Sequence, residues 1–146
     1  MRLHAGGLCI RRMQADDLQA VLGLVRQLPG NIIRWSKEAS FTQVFQDLLE
    51  GKGKEAFVAT LHQRVIGFVS LYYMRVLHHG GTVASIQELV VTEELRGRGV
   101  GRALVDFARA RAQELCCAGV EVAAGQPGLG KRLGRIGALD HFAPVP

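Results

Sequence analysis

The apolar positions of this chain change period several times, and each change marks an element. Leu8 to Met13 is a short run suited to a strand. Beyond it Leu18, Val21, Leu22, Val25 and Leu28 recur at spacings of three and four, the stripe of an amphipathic helix. Asp16 and Asp17 stand at its start, where the helix dipole favours negative charge, and Pro29-Gly30 ends it. A connector from Asn31 to Lys37 holds the only tryptophan, Trp35. A second helical stripe follows (Phe41, Val44, Phe45, Leu48, Leu49), closed by Gly51-Lys52-Gly53. Ala56 to Leu61 and Val65 to Arg75 read as strands joined across His62-Gln63-Arg64 at hairpin spacing. His78-His79-Gly80-Gly81 leads into a third strand, Thr82 to Val91. The last long stripe places Val100, Ala103, Leu104, Phe107, Ala108 and Leu115 on one helical face; Gly119 suits its C-terminal stop, and Val120 to Ala124 reads as a short buried strand.

The resulting order, β-α-α-β-β-β-α-β, predicts an α/β (α+β) fold. A meander followed by a strand-loop-helix-strand unit gives a mixed, mostly antiparallel central sheet with helices on both faces. At 146 residues, with nearly half of them apolar, the chain is expected to form one domain over residues 1–146. No stretch approaches the roughly 20 apolar residues that span a bilayer, so no membrane partner is expected. Three cysteines, two of them adjacent (Cys116, Cys117), make no disulfide framework. With no secretory apolar run near Met1, they point to the reducing cytoplasm.

The formal charge of +5 raises nucleic acid as a partner. Much of the excess, however, sits around one loop and the helix after it (Arg96, Arg98, Arg102, Arg109, Arg111) and in Lys131, Arg132 and Arg135. No aromatic residues interleave as base-stacking platforms, so no nucleic acid is expected.

That loop carries the chemistry. Between Glu88-Leu89-Val90-Val91 and the last long helix, Arg96-Gly97-Arg98-Gly99-Val100-Gly101-Arg102 packs three glycines and four basic or apolar side chains against a helix start. The first turn of a helix has unpaired N–H donors and the positive end of the dipole, which together suit phosphate. A Walker A loop would need Lys and then Ser or Thr where Arg102-Ala103 stand. A dinucleotide fingerprint would need a different glycine spacing, in the first strand-to-helix turn.

Arg96-x-x-Gly99-x-Gly101, after Glu88-Leu89-Val90-Val91 and before an amphipathic helix, resembles the GNAT superfamily of acetyl-CoA-dependent N-acyltransferases. The likeness covers about residues 8 to 124. It implies acetyl-CoA as cofactor, with its pyrophosphate on residues Arg96 to Arg102 and its pantetheine arm along Leu89, Val90 and Val91. It also implies that a strand amide, that of Val90 or a neighbour, serves the thioester oxyanion, and that Glu88 is the general base facing the acceptor amine. The connector with Arg34 and Trp35 would wall the acceptor site. The acceptor would be a small-molecule or protein amine, and a homodimer is compatible with the resemblance though nothing in the sequence specifies it.

The chain departs from the family after residue 124. The family's next helix usually bears a tyrosine that acts as general acid, whereas residues 125–146 contain no tyrosine and hold five glycines between positions 125 and 137. Glycine costs about 1 kcal/mol relative to alanine inside a helix, so a stable helix is not expected there. Tyr72 and Tyr73, on opposite faces of their strand, are the remaining candidates for the acid. Histidine can relay protons, but His78 and His79 have no Cys or carboxylate close in sequence, so no metal is expected. No cysteine lies near the cofactor strand, which favours direct attack over an acyl-enzyme. The alternative function is a non-catalytic acyl-CoA-binding module with a degenerate C-terminal region.

Overall fold

A computed structural model describes residues 6–28, 38–123 and 142–144. Six strands form one sheet in sequential order: β1 (Leu8–Arg12), β2 (Lys54–Leu61), β3 (Arg64–Val76), β4 (Gly81–Val91), β5 (Gly119–Val122) and β6 (Phe142–Pro144). All neighbours are antiparallel except β4 and β5, which run parallel and so require the helical crossover between them. Helices α1 (Leu18–Val25) and α2 (Glu38–Glu50) cover one face, and α3 (Val100–Glu114) covers the other.

Strand alternation sorts the core into two layers. Val69, Leu71, Ala84, Ile86, Leu89 and Val91 meet Leu104, Val105 and Ala108 of α3. Ala56, Val58, Phe68 and Val90 meet Val21 and Leu24 of α1 and Phe45 and Leu48 of α2. The mixed sheet with helices on both faces is the architecture expected from the sequence. β6, paired antiparallel with β5, is an element that no hydrophobic period announced.

Several local details differ from expectation. The β2–β3 turn has two residues, His62 and Gln63, both at positive φ (48° and 69°), as a primed hairpin turn requires. Gly119 does not stop α3; it opens β5. The stop is a Schellman motif, with Cys116 at φ 55°, its N–H donating to the Gln113 carbonyl and that of Cys117 donating to Ala112. The motif leaves Cys116 exposed and turns Cys117 into the core, so only one of the pair packs there. Val44 and Leu115, expected on buried stripes, are 47% and 42% exposed. The C-terminal region expected to lack a helix lies outside the described residues except for β6.

Candidate active site

The glycine loop closes onto α3 as its sequence suggests. Gly97 and Gly99 take positive φ (77° and 88°), and Gly99 is the residue that caps α3. Nothing stands within 4 Å of where a Cβ would project from either, so these glycines serve backbone shape rather than internal packing. The first intrahelical bond runs from Ala103 N–H to the Gly99 carbonyl at 3.0 Å, which leaves the amides of Val100, Gly101 and Arg102 without helical acceptors. Those donors beside open space fit a bound diphosphate.

The three arginines of the loop divide their work. Arg96 turns inward: its Nε donates to the Val91 carbonyl at 3.0 Å and an NH2 group donates to the Gln27 carbonyl at 3.2 Å. Gln27 answers by accepting the Glu93 N–H at 2.9 Å through its side chain. Arg96 thus braces the loop against β4 and the end of α1. Arg98 and Arg102 instead line a cavity of about 410 Å³ with Gly99, Ala103 and the apolar Leu8 and Leu61. Arg102 also stands 3.9 Å from Asp106.

β4 pairs with β5 only from Val83 to Ile86, the last link being Ala123 N–H to the Ile86 carbonyl at 2.9 Å. The side chains of Leu89, Val90 and Val91 are buried, so only main chain is available there to a ligand. Thr92 N–H donates to Ile66 across on β3, and Glu88 N–H also points to β3. The period of two therefore turns Val90 N–H toward β3 and those of Leu89 and Val91 away from it.

A bulge decides where Glu88 points. Register shifts between Ser70 and Leu71, so that Ser70 opposes Glu88 while Leu71 opposes Ile86, and Gln87 is the extra residue. Ala84 and Ile86 face α3, and an unbroken alternation would carry Glu88 to that face as well. The bulge moves it to the α1–α2 face instead, level with Val90. Ser70, fully buried on β3, donates its hydroxyl proton to the Glu88 carboxylate and accepts the Glu88 N–H at 3.1 Å. Burial pushes the Glu88 carboxyl above its ordinary range, and the Ser70 bond only partly opposes this.

Tyr72 lies on the same face as Glu88, packed against the α1–α2 core with Lys54 over its ring. Burial, and then the negative charges of Glu88 and Asp47, push its phenol upward, so it stays protonated. Asp47, on α2, accepts from Gln43 at 3.3 Å.

Tyr73, the other candidate acid, is not brought to Glu88. It packs toward the α3 core, and its hydroxyl donates to Glu55 at 2.7 Å. Arg111 of α3 donates to both Glu55 oxygens at 2.9 Å, and Arg12 of β1 adds a further bond. Burial of Glu55 raises its carboxyl, but the bonds from Arg111, Tyr73 and Arg12 outweigh this and hold it at about 2. Burial and Glu55 push the Tyr73 phenol far up, which ties it to a structural network. His78 and His79, with rings 4.1 Å apart, sit at the far end of the β3–β4 hairpin. Six strand residues, roughly 20 Å, separate that end from Ser70. No cluster of metal-ligating side chains occurs among the described residues. Arg34 and Trp35 lie outside them.

A model of the acetyltransferase (GNAT) family matches residues 22–130. The chain belongs to the GNAT acetyltransferase family. Among curated proteins it is similar to the aminoalkylphosphonate N-acetyltransferase of Salmonella typhimurium, 28% identical over 105 residues. That match covers 72% of this chain and 66% of the relative, just under two thirds of its length. Among solved structures it is similar to a transcriptional regulator from Bacillus halodurans (TM-score 0.79, 22% identity, 91% of this chain and 93% of that one). It is also similar to a putative acetyltransferase from Agrobacterium tumefaciens (TM-score 0.72, 25% identity, 88% and 89%). These similarities agree with the resemblance carried by the Arg96–Arg102 loop, and the GNAT family generally uses acetyl-CoA.

Sequence reasoning missed Ser70, Asp47 and Gln27. The first depends on a bulge, and the others on contacts between elements distant in sequence. Their only sequence signal was a polar residue inside or beside an apolar run.

Proposed function

We propose that this GNAT protein transfers an acetyl group from acetyl-CoA to a primary amine of a small molecule, by direct attack within a ternary complex. The observation that carries the reading is the bulge at Gln87. It brings the Glu88 carboxylate onto the α1–α2 face just where β4 loses its β5 partner. Acetyl-CoA, when bound, supplies an acyl group activated as a thioester. The amides from Val100 to Arg102 and the shape set by Gly97 and Gly99 would hold its diphosphate, with Arg98 and Arg102 adding charge. The main chain of Leu89 to Val91 would receive the pantetheine arm. The Leu89 or Val91 amide is the donor suited to charge developing on the acyl oxygen.

Glu88 takes the proton of the attacking ammonium. Its raised carboxyl suits this role, because a base works best when its pKa approaches the working pH. Tyr72 keeps its proton and stands on the same face, which makes it the better placed of the two tyrosines to protonate the leaving sulfur. Glu88 and Asp47 give this face a negative character that attracts an ammonium. The similarity to an aminoalkylphosphonate N-acetyltransferase supports a small acceptor over a protein lysine. Arg34 and Trp35 keep their assignment as acceptor-binding residues on sequence grounds.

The test is CoA release from acetyl-CoA over a panel of primary amines that includes aminoalkylphosphonates, with identification of the acetylated product. The expected result is one N-acetylated amine per CoA released. Glu88→Gln should lower kcat/KM by roughly 10²–10⁴-fold without weakening acetyl-CoA binding. Thermal stabilisation by acetyl-CoA with no release on any amine would instead identify a binding module.

A further inference from the structure

We propose that Ser70 is a positioning residue for the transfer reaction, its buried hydroxyl gripping both the carboxylate and the main-chain amide of Glu88 across the β-bulge. The inference rests on the reading of Glu88 as the base.

Where a bulge inserts Gln87, two residues of β4 oppose one position on β3, and regular carbonyl-to-amide pairing is lost. At this position the Glu88 N–H donates to the Ser70 hydroxyl oxygen at 3.1 Å. The same hydroxyl donates its one proton to the Glu88 carboxylate. A serine hydroxyl has one donor and two acceptor sites, and here a single oxygen holds both ends of the same residue. Ser70 is 0% exposed and packed inside the sheet, so water cannot substitute for it without a cavity being opened. Alanine at this position would remove both contacts, and valine would fill the space without replacing either.

Two consequences follow for the reaction. First, with its backbone amide and one oxygen fixed, Glu88 retains a second carboxylate oxygen to meet the acceptor amine. Second, a hydroxyl that donates to a carboxylate favours the charged form, so Ser70 opposes the upward push of burial and keeps the base ionised over a wider range. The other titratable groups around Glu88 do not do this. Tyr72 on β3 is neutral, Asp47 on α2 is acidic and acts on Tyr72, and α1 carries no titratable side chain between Leu18 and Val25. Lys54 on β2 is directed over the Tyr72 ring.

The experiment compares wild type, S70A and S70T by two pH titrations. One follows the Glu88 carboxyl by carbon NMR in the protein alone; the other follows kcat/KM for amine with saturating acetyl-CoA. Removing the hydroxyl takes away a bond that favours the carboxylate, so both midpoints should rise in S70A. A hydrogen bond to a charged group corresponds to a shift of about one to two pH units. S70T restores the hydroxyl and should return both midpoints toward wild type, while KM for acetyl-CoA stays level in all three. S70A should change the rate no further in an E88Q background. Melting curves of each variant confirm a folded protein before either titration is read. If S70A lowers activity while both midpoints stay in place, Ser70 is a packing residue and the proposal is overturned. If the NMR midpoint moves and the kinetic one does not, the hydroxyl–carboxylate pairing stands, but Glu88 is not the base and Ser70 has no part in the reaction.

Discussion

Glu88 and Glu55 are both carboxylates on core strands, yet their surroundings drive them in opposite directions. Glu88 is enclosed with one hydroxyl partner, and burial wins, so its carboxyl rises. Glu55 is enclosed with two guanidinium groups and a phenol, and hydrogen bonding wins, so its carboxyl falls to about 2. The depressed group stabilises the fold when ionised. Its contribution, about 3 kcal/mol for a fall from 4.5 to about 2, is complete above the unfolded value near 4.5. It is lost progressively as pH falls from there toward 2. Acid unfolding curves of wild type and Glu55→Gln should therefore differ by roughly this amount at pH 6 and converge near pH 2. Parallel curves at every pH would show that the network does not couple to folding. Glu88 could be proposed from sequence because it precedes the segment expected to receive the cofactor. Its face could not, because period-two alternation with no sign of a bulge sends it to the wrong side of the sheet. Tyr72 and Tyr73 were distinguishable only as a pair on opposite faces; the Glu55–Arg111 network that withdraws Tyr73 joins residues 56 positions apart.

The helices were legible because their apolar residues recur at three and four, and α1, α2 and α3 fall where those stripes do. Their ends were less so. Gly119, five residues beyond the last helical residue, looked like the stop of α3, but the chain reverses at Cys116, whose left-handed conformation lets Cys117 enter the core. The start of α3 was readable because only glycine adopts the φ of 88° at Gly99 without strain. Gly99→Val tests the loop directly. A β-branched residue in the left-handed region costs on the order of 1–3 kcal/mol, and its side chain would project into the open space beside the α3 amides. The apo protein should stay folded with a lower melting temperature, and the stabilisation produced by CoA should disappear. Undiminished stabilisation by CoA would place the diphosphate elsewhere.

At the scale of the whole molecule, a sheet with one parallel pair positions everything else. Parallel pairing of β4 with β5 demands the α3 crossover, and the loop into that crossover is the proposed anion site. Among the described residues the β4–β5 ladder ends at Ile86, and the Arg96 side chain reaches the Val91 carbonyl beyond it, while Tyr72 of β3 faces the α1–α2 layer within the influence of both Glu88 and Asp47. The order of the elements and the sheet class could be read from changes of hydrophobic period. β6 could not, because three residues among glycines and prolines carry no period. The excess positive charge of the chain is consistent with this layout, since Arg96, Arg98 and Arg102 cluster at the α3 start. No helix among the described residues is long and apolar enough to cross a membrane. Acetyl-CoA binding as proposed requires the main-chain amides at the start of α3 to hold a diphosphate. Backbone amide NMR of the labelled protein, titrated in parallel with CoA and with pantetheine, tests this most directly. The amides of Gly97 to Arg102 should shift strongly with CoA and little with pantetheine, which lacks the diphosphate. Saturating CoA binding that leaves those six amides unmoved while others shift would contradict it.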